Sequence, residues 1–192
     1  MSVKDIDLGW GKIVAQMQEL DATSVKVGVQ DNAGMVEGGN IAMAKLAAVH
    51  EFGGEIKVAA GSVTQYRKVK KSGDFANSGR LTSKNKSNFA QTMDRKAHSF
   101  TMPQRSFIRS AVDENKKKID DMSAKLAGKI VDGMSPNQAL GIMGNAVQGM
   151  IQKKIANGPF EPNKPSTVKK KGRNKPLIDT GHLRQSIRYV VE

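Results

Sequence analysis

No cysteine occurs anywhere in the 192 residues, which excludes a disulfide framework and any thiolate metal site. Such a chain is suited to assembly in a reducing cytoplasm. Aromatic residues make up 5% and apolar residues 38% of the chain, low for a compact globule. Long peripheral segments, or surface that only partners cover, are therefore expected. The histidines His50, His98 and His182 lie far apart, and a metal site would need them to converge with a carboxylate. They read as ordinary surface or core residues. No stretch approaches the roughly 18–20 apolar residues that a membrane-spanning helix needs. Met1 to Leu20 has its apolar residues spaced by polar ones, and Asp5 and Asp7 stand where a signal peptide carries positive charge. A soluble protein, not exported by that route and not bound to membrane, is expected. Acidic residues are also scarce: 18 against 31 Lys and Arg, a net charge of +13. Beyond ordinary solubility, an excess of this size concerns partners, favouring nucleic acid, a membrane surface or acidic protein neighbours.

What is present is a mixed pattern of periodicities. Ile6, Trp10, Ile13, Met17 and Leu20 recur at helical steps within Val3 to Leu20, weakened by Gly9 and Gly11. Val25, Val27 and Val29 alternate as in a half-buried strand. Asn40 can cap a helix over Ile41 to Phe52, ended by Gly53-Gly54. Strands are predicted at Glu55–Val58, Val63–Val69 and Lys96–Met102. Between the last two, residues 70–93 are rich in Lys, Ser, Asn and Gly and read as a flexible insertion loop. One long helix is predicted from Gln104 to Asp132. Ser135-Pro136-Asn137-Gln138 has the form of a capping box before an amphipathic helix reaching Asn157. Residues 159–176 form a basic, proline-rich extended loop. Thr180 can cap a single turn through Leu183, and Ile187, Tyr189 and Val191 alternate as a closing strand. The expectation is one α+β domain over residues 1–192. Its mixed or antiparallel sheet has four to five strands, with two long helices on one face and two long loops attached.

No catalytic constellation assembles. His50-Glu51 lacks the second histidine of a zincin helix, Gly54 standing there instead. Neither a phosphate-binding loop nor a Gly-x-Ser-x-Gly elbow occurs. Asp179, His182 and Ser186 lie within eight residues of one another, whereas a triad needs different elements around an oxyanion hole. The polar residues with most to offer are cations. Arg67, Lys68, Lys70, Lys71, Arg80, Lys84 and Lys86 form one group, and Lys169, Lys170, Lys171, Arg173 and Lys175 another. Both are candidates for contact with acidic neighbours or, without sequence preference, with phosphates. No stacking platform or helix-turn-helix pattern accompanies them.

Three segments in order carry a resemblance. The first is Val25-Lys26-Val27-Gly28-Val29 followed by Leu46-Ala47-Ala48-Val49-His50-Glu51-Phe52-Gly53. The second is Met102-Pro103-Gln104-Arg105-Ser106-Phe107-Ile108-Arg109, running into Glu114-Asn115. The third is Leu177-Ile178-Asp179-Thr180-Gly181-His182-Leu183-Arg184-Gln185-Ser186-Ile187. Together they resemble the tailed-phage neck and tail-completion proteins, also called head–tail joining, virion morphogenesis or tail-component proteins of the HK97 type. The resemblance implies a non-enzymatic virion protein without cofactor, assembled in the host cytoplasm. It implies a homo-oligomeric ring, six copies favoured, between head-completion proteins and tail-terminator or tail-tube proteins, whose lumen would admit non-specific contact with DNA. His50, Glu51, Phe52, Gly53, Pro103, Arg105, Phe107, Asp179, Thr180, Gly181, Leu183 and Ser186 are then structural. Arg105 in particular is placed to lock a carboxylate. The alternative function is a sequence-independent nucleic-acid-binding accessory protein.

Overall fold

Alternating valines at one end of the chain and alternating apolar residues at the other make a single antiparallel ladder. Strand β1 (Val25–Val29) pairs with β6 (Ile187–Val191), Val25 opposite Val191 and Val29 opposite Ile187. This computed structural model describes residues 9–36, 41–172 and 174–192, without the side chains of Asp31, Ser78, Lys170 and Lys171. The expected Ile6 position and the Asn40 cap lie outside the described residues. The fold is α+β. The chain divides into two compact units, residues 1–53 with 103–192, and residues 54–102.

In the first unit, α1 (Trp10–Ala22) precedes β1, and α2 (Met43–Phe52) follows it. Helix α5 (Pro136–Asn157) lies against the β1–β6 ladder. Its start follows the sequence: the Ser135 hydroxyl accepts from the Gln138 amide at 3.3 Å, with Pro136 at the first helical position. The expected helix from Gln104 to Asp132 is instead two, α3 (Ile108–Glu114) and α4 (Lys116–Val131). Asn115 makes the break. Its side-chain amide donates to the Ala111 carbonyl at 2.8 Å, an i−4 bond that competes with the helix ladder. Of α4 only Ile130 is buried. The basic loop also departs from expectation, because α6 (Pro165–Lys171) forms within it, started by Pro165. The closing turn is α7 (His182–Gln185), and its N-cap is Gly181 at φ +89°, not Thr180. A residue with a Cβ resists that conformation, so the glycine decides the cap.

The core of this unit joins distant segments. Met43 and Ala47 of α2, Phe107, Ala111 of α3, Ile151 and Ile155 of α5, Leu177, Leu183 and Ile187 form one buried cluster. Leu177 is held at φ +60°, strain of order 1 kcal/mol that its burial in this cluster offsets.

The second unit holds β2 (Gly54–Val58), β3 (Gly61–Arg67), β4 (Phe89–Arg95) and β5 (His98–Met102). β2 pairs antiparallel with β5, and β3 with β4. The strands thus make three two-stranded ladders rather than one sheet. Residues 70–93, expected to be a flexible loop, contain two 3-10 turns and run into β4. Asn88 fixes the segment: its side chain accepts from the Val69 amide at 2.7 Å and donates to the Val69 carbonyl at 2.8 Å.

Candidate functional site

Part of two of the segments quoted for the resemblance, Glu51 and Ser106 to Arg109, meets in the first unit around one carboxylate. Glu51 sits in the last turn of α2 and is only 6% exposed. Gly53, at φ +66°, and Gly54, at φ +121°, then turn the chain out of the helix in conformations open to glycine. One Glu51 oxygen accepts from the Ser106 hydroxyl at 2.6 Å and the Arg109 amide at 3.0 Å. The other accepts from the amides of Phe107 at 2.7 Å and Ile108 at 2.9 Å. Amides at a helix start have no intrahelical partner, so Glu51 caps α3 from another helix. Burial raises the Glu51 pKa, and the four hydrogen bonds outweigh it, leaving the group below its ordinary 4.5.

Among the described residues Arg105 forms no ion pair with a carboxylate. It is 5% exposed, and its guanidinium donates to the main-chain carbonyls of Glu161 at 3.0 Å and Pro162 at 3.2 Å. Its own amide donates to the His50 carbonyl at 2.8 Å. Burial pulls its pKa down, opposed by the Glu161 charge. The planar fork reaches two carbonyls at once, which a lysine ammonium cannot reproduce in the same place. Arg105→Ala is expected to cost roughly 2–3 kcal/mol by leaving these carbonyls without their donor, and Arg105→Lys roughly half that. Chemical denaturation checks both. Equal stability of Arg105→Lys and the parent would show that the fork is not what matters.

The remaining motif residues divide. Phe107 and Leu183 are buried in the core. Pro103 follows β5, and Gln104 donates to the Glu51 carbonyl at 3.2 Å. Phe52 points outward, 64% exposed. Asp179, Thr180 and His182 are exposed. The Ser186 hydroxyl donates to the Leu183 carbonyl at 2.8 Å, tying off the turn instead of facing His182 as a nucleophile. Among the described residues no group of three or more His, Asp and Glu could hold a metal ion. A wide cleft of about 870 Å³ between α4 and α5 is lined by both charges, including Glu114, Asp121, Lys118 and Lys125.

The cations stand apart from this core. Lys68, Lys70, Lys71, Arg80, Lys84 and Lys86 are exposed in the second unit. Arg67 differs, since it donates to the Gln65 side chain at 3.1 Å and lies 5.0 Å over the Phe75 ring. Lys169 and Lys175 are exposed in the first unit; the side chains of Lys170 and Lys171, and all of Arg173, lie outside the described residues. Sequence reasoning missed the capping role of Glu51, whose donors lie 55 to 58 positions away. Its one signal was an acidic residue at the end of an otherwise apolar α2 stripe.

The chain matches no family model, no curated protein and no solved structure.

Proposed function

We propose that this chain is a structural protein of a tailed-phage virion, one subunit of a homo-oligomeric ring in the head–tail joint, and a scaffold rather than a catalyst. The observation that carries the reading is the convergence of the three resembling segments. Glu51 from the first holds Ser106 to Arg109 from the second, and Leu177, Leu183 and Ile187 from the third complete the same core. The hydrogen bonds of the motif's buried polar groups, Glu51 and Arg105, go to the fold itself.

Exposed apolar surface supports assembly. Trp10, Val14 and Met17 recur at i, i+4 and i+7 on α1, and Trp10 is 70% exposed. No residue of α1 is buried. Phe52 is a second outward aromatic. Aromatic side chains of this kind anchor protein interfaces, and a heterologous interface between copies closes a ring.

Particles assembled without this protein test the reading by electron microscopy. Filled heads beside finished, unjoined tails are expected, with joining restored when the protein is supplied. Normally joined, infectious particles would contradict it.

A further inference from the structure

The two ladders of the second unit share one register. Partner numbers sum to 156 from Gly54↔Met102 through Val58↔His98 and Gly61↔Arg95 to Arg67↔Phe89. The chain therefore runs out and back as one two-stranded ribbon, interrupted only at Ala59-Ala60 opposite Lys96-Ala97. At ~3.3 Å per residue, each strand's run from the base to its tip reaches roughly 45 Å. An isolated two-stranded ribbon is marginal in water, and every residue of β4 is exposed.

Charge is concentrated here. Residues 54–102 hold 10 Lys and Arg against 3 Asp and Glu, so +7 of the chain's +13 falls in this unit. Six exposed cations (Lys68, Lys70, Lys71, Arg80, Lys84 and Lys86) crowd the tip with Asp74 as the only acid. Among the described residues none of the six is in an ion pair. The tip that carries them is fixed in place. Asn88 is bonded twice to Val69, the Phe75 ring meets Phe89 edge-on at 5.7 Å, and the Thr82 amide donates to the Tyr66 carbonyl at 2.8 Å.

We propose that this ribbon binds double-stranded DNA without sequence preference, its tip cations resting on phosphates. The major groove, ~12 Å wide, admits a two-stranded ribbon. Behind the tip, the paired residues Gln65 and Gln91 carry neutral side-chain amides, donors suited to phosphate and sugar oxygens. The choice of cation separates DNA from an acidic protein: five of the six are Lys, which protein interfaces avoid and phosphate backbones accept as point charges. This inference goes beyond the ring reading, and neither depends on the other.

Fluorescence anisotropy of the full chain with two unrelated duplexes, between roughly 50 and 200 mM salt, is the test. Equal affinity for both duplexes is expected, with log K falling against log salt at a slope near −5, for six phosphates at about −0.9 each. Replacing Lys68, Lys70, Lys71, Lys84 and Lys86 with Gln should flatten the slope by about 4 and weaken binding at low salt by roughly 100-fold or more. Replacing Lys164, Lys169 and Lys175 with Gln should leave affinity within about threefold. Should the fivefold variant lose its fold, cross-linking DNA to the parent chain decides, with adducts expected at residues 68–86. The proposal is overturned by no binding at low salt, by loss in the Lys164/Lys169/Lys175 variant alone, by adducts confined to residues 164–175, or by polyglutamate binding as tightly as DNA.

Discussion

Glu51→Ala is expected to destabilise the first unit by roughly 3–5 kcal/mol, a large part of the 5–15 kcal/mol typical of a folded domain. Removal of the carboxylate strands three amides at the start of α3 and the Ser106 hydroxyl. The Phe107 amide is fully buried, and Phe107 itself is a core residue with no exposed surface. Water cannot readily replace the lost acceptor there, so the cost exceeds that of an ordinary exposed cap. Glu51→Gln keeps the size but turns one acceptor into a donor facing backbone N–H groups, so it should be nearly as damaging. A fall in Tm of about 10 °C or more is expected for either variant. The same group sets an acid limit. Its folded pKa lies below the ordinary 4.5, so its contribution is fully present above that value and is lost as pH falls through the folded pKa. Parent stability should therefore decline below about pH 4.5, and the Glu51→Gln variant should show a flatter acid limb. Parallel acid limbs for the two would remove Glu51 from that role.

Gly144→Leu is expected to cost roughly 3 kcal/mol or more by overpacking, because α5 approaches the β1–β6 ladder at this glycine. A Cβ there would lie 2.7 Å from Tyr189 Cδ2 and 2.8 Å from Val25 Cγ2. Both neighbours belong to the ladder, so relief requires moving a strand or turning the tyrosine ring. Gly144→Ala sets about 1 kcal/mol of helix propensity against overpacking of about 1–3 kcal/mol, and should be a net loss. Two glycines on the same helix supply the control. Nothing lies within 4 Å of a Cβ at Gly141 or Gly149, so alanine at either should stabilise by about 0.5–1 kcal/mol. Urea denaturation of the three alanine variants separates packing from propensity. A stabilising Gly144→Ala would contradict the close approach of α5 to the ladder.

Gly144 also shows where sequence reasoning ran short. Periodicity placed α5 correctly, because its apolar spacing and the Ser135 cap are local signals. It selected Leu140, Met143, Val147, Met150, Ile151 and Ile155 as the face. Ile151 and Ile155 are buried and the other four partly so, whereas the close approach to the ladder is at Gly144. A pattern of hydrophobicity does not report where backbones touch. β1 and β6 were legible as strands for the same local reason, but no strand pairing was. Alternation in Ile56–Val58 and in His98–Met102 fixes faces without naming a partner, so one shared sheet was as consistent as three separate ladders. Asn115 broke a helix that the apolar spacing carried straight through, since one side-chain bond to Ala111 is invisible to periodicity. The lysine run at 169–171 hid α6, because charge was taken as a sign of extension although Pro165 marks a helix start. At the candidate site the order of the motifs was legible, and the reason for Glu51 and Arg105 was not. Apart from the Ser106 hydroxyl, their partners are main-chain atoms far along the chain, which almost any residue type supplies.

The most direct test of the proposed role is cryo-electron microscopy of the head–tail joint in tailed-phage particles assembled with this protein present. A closed ring of density is expected, into which residues 9–36, 41–53, 103–172 and 174–192 fit as repeated subunits, with Glu51 buried inside each and the Trp10 face of α1 at a contact between copies. A joint fully accounted for by other chains, with this protein elsewhere or absent from the particle, would contradict it.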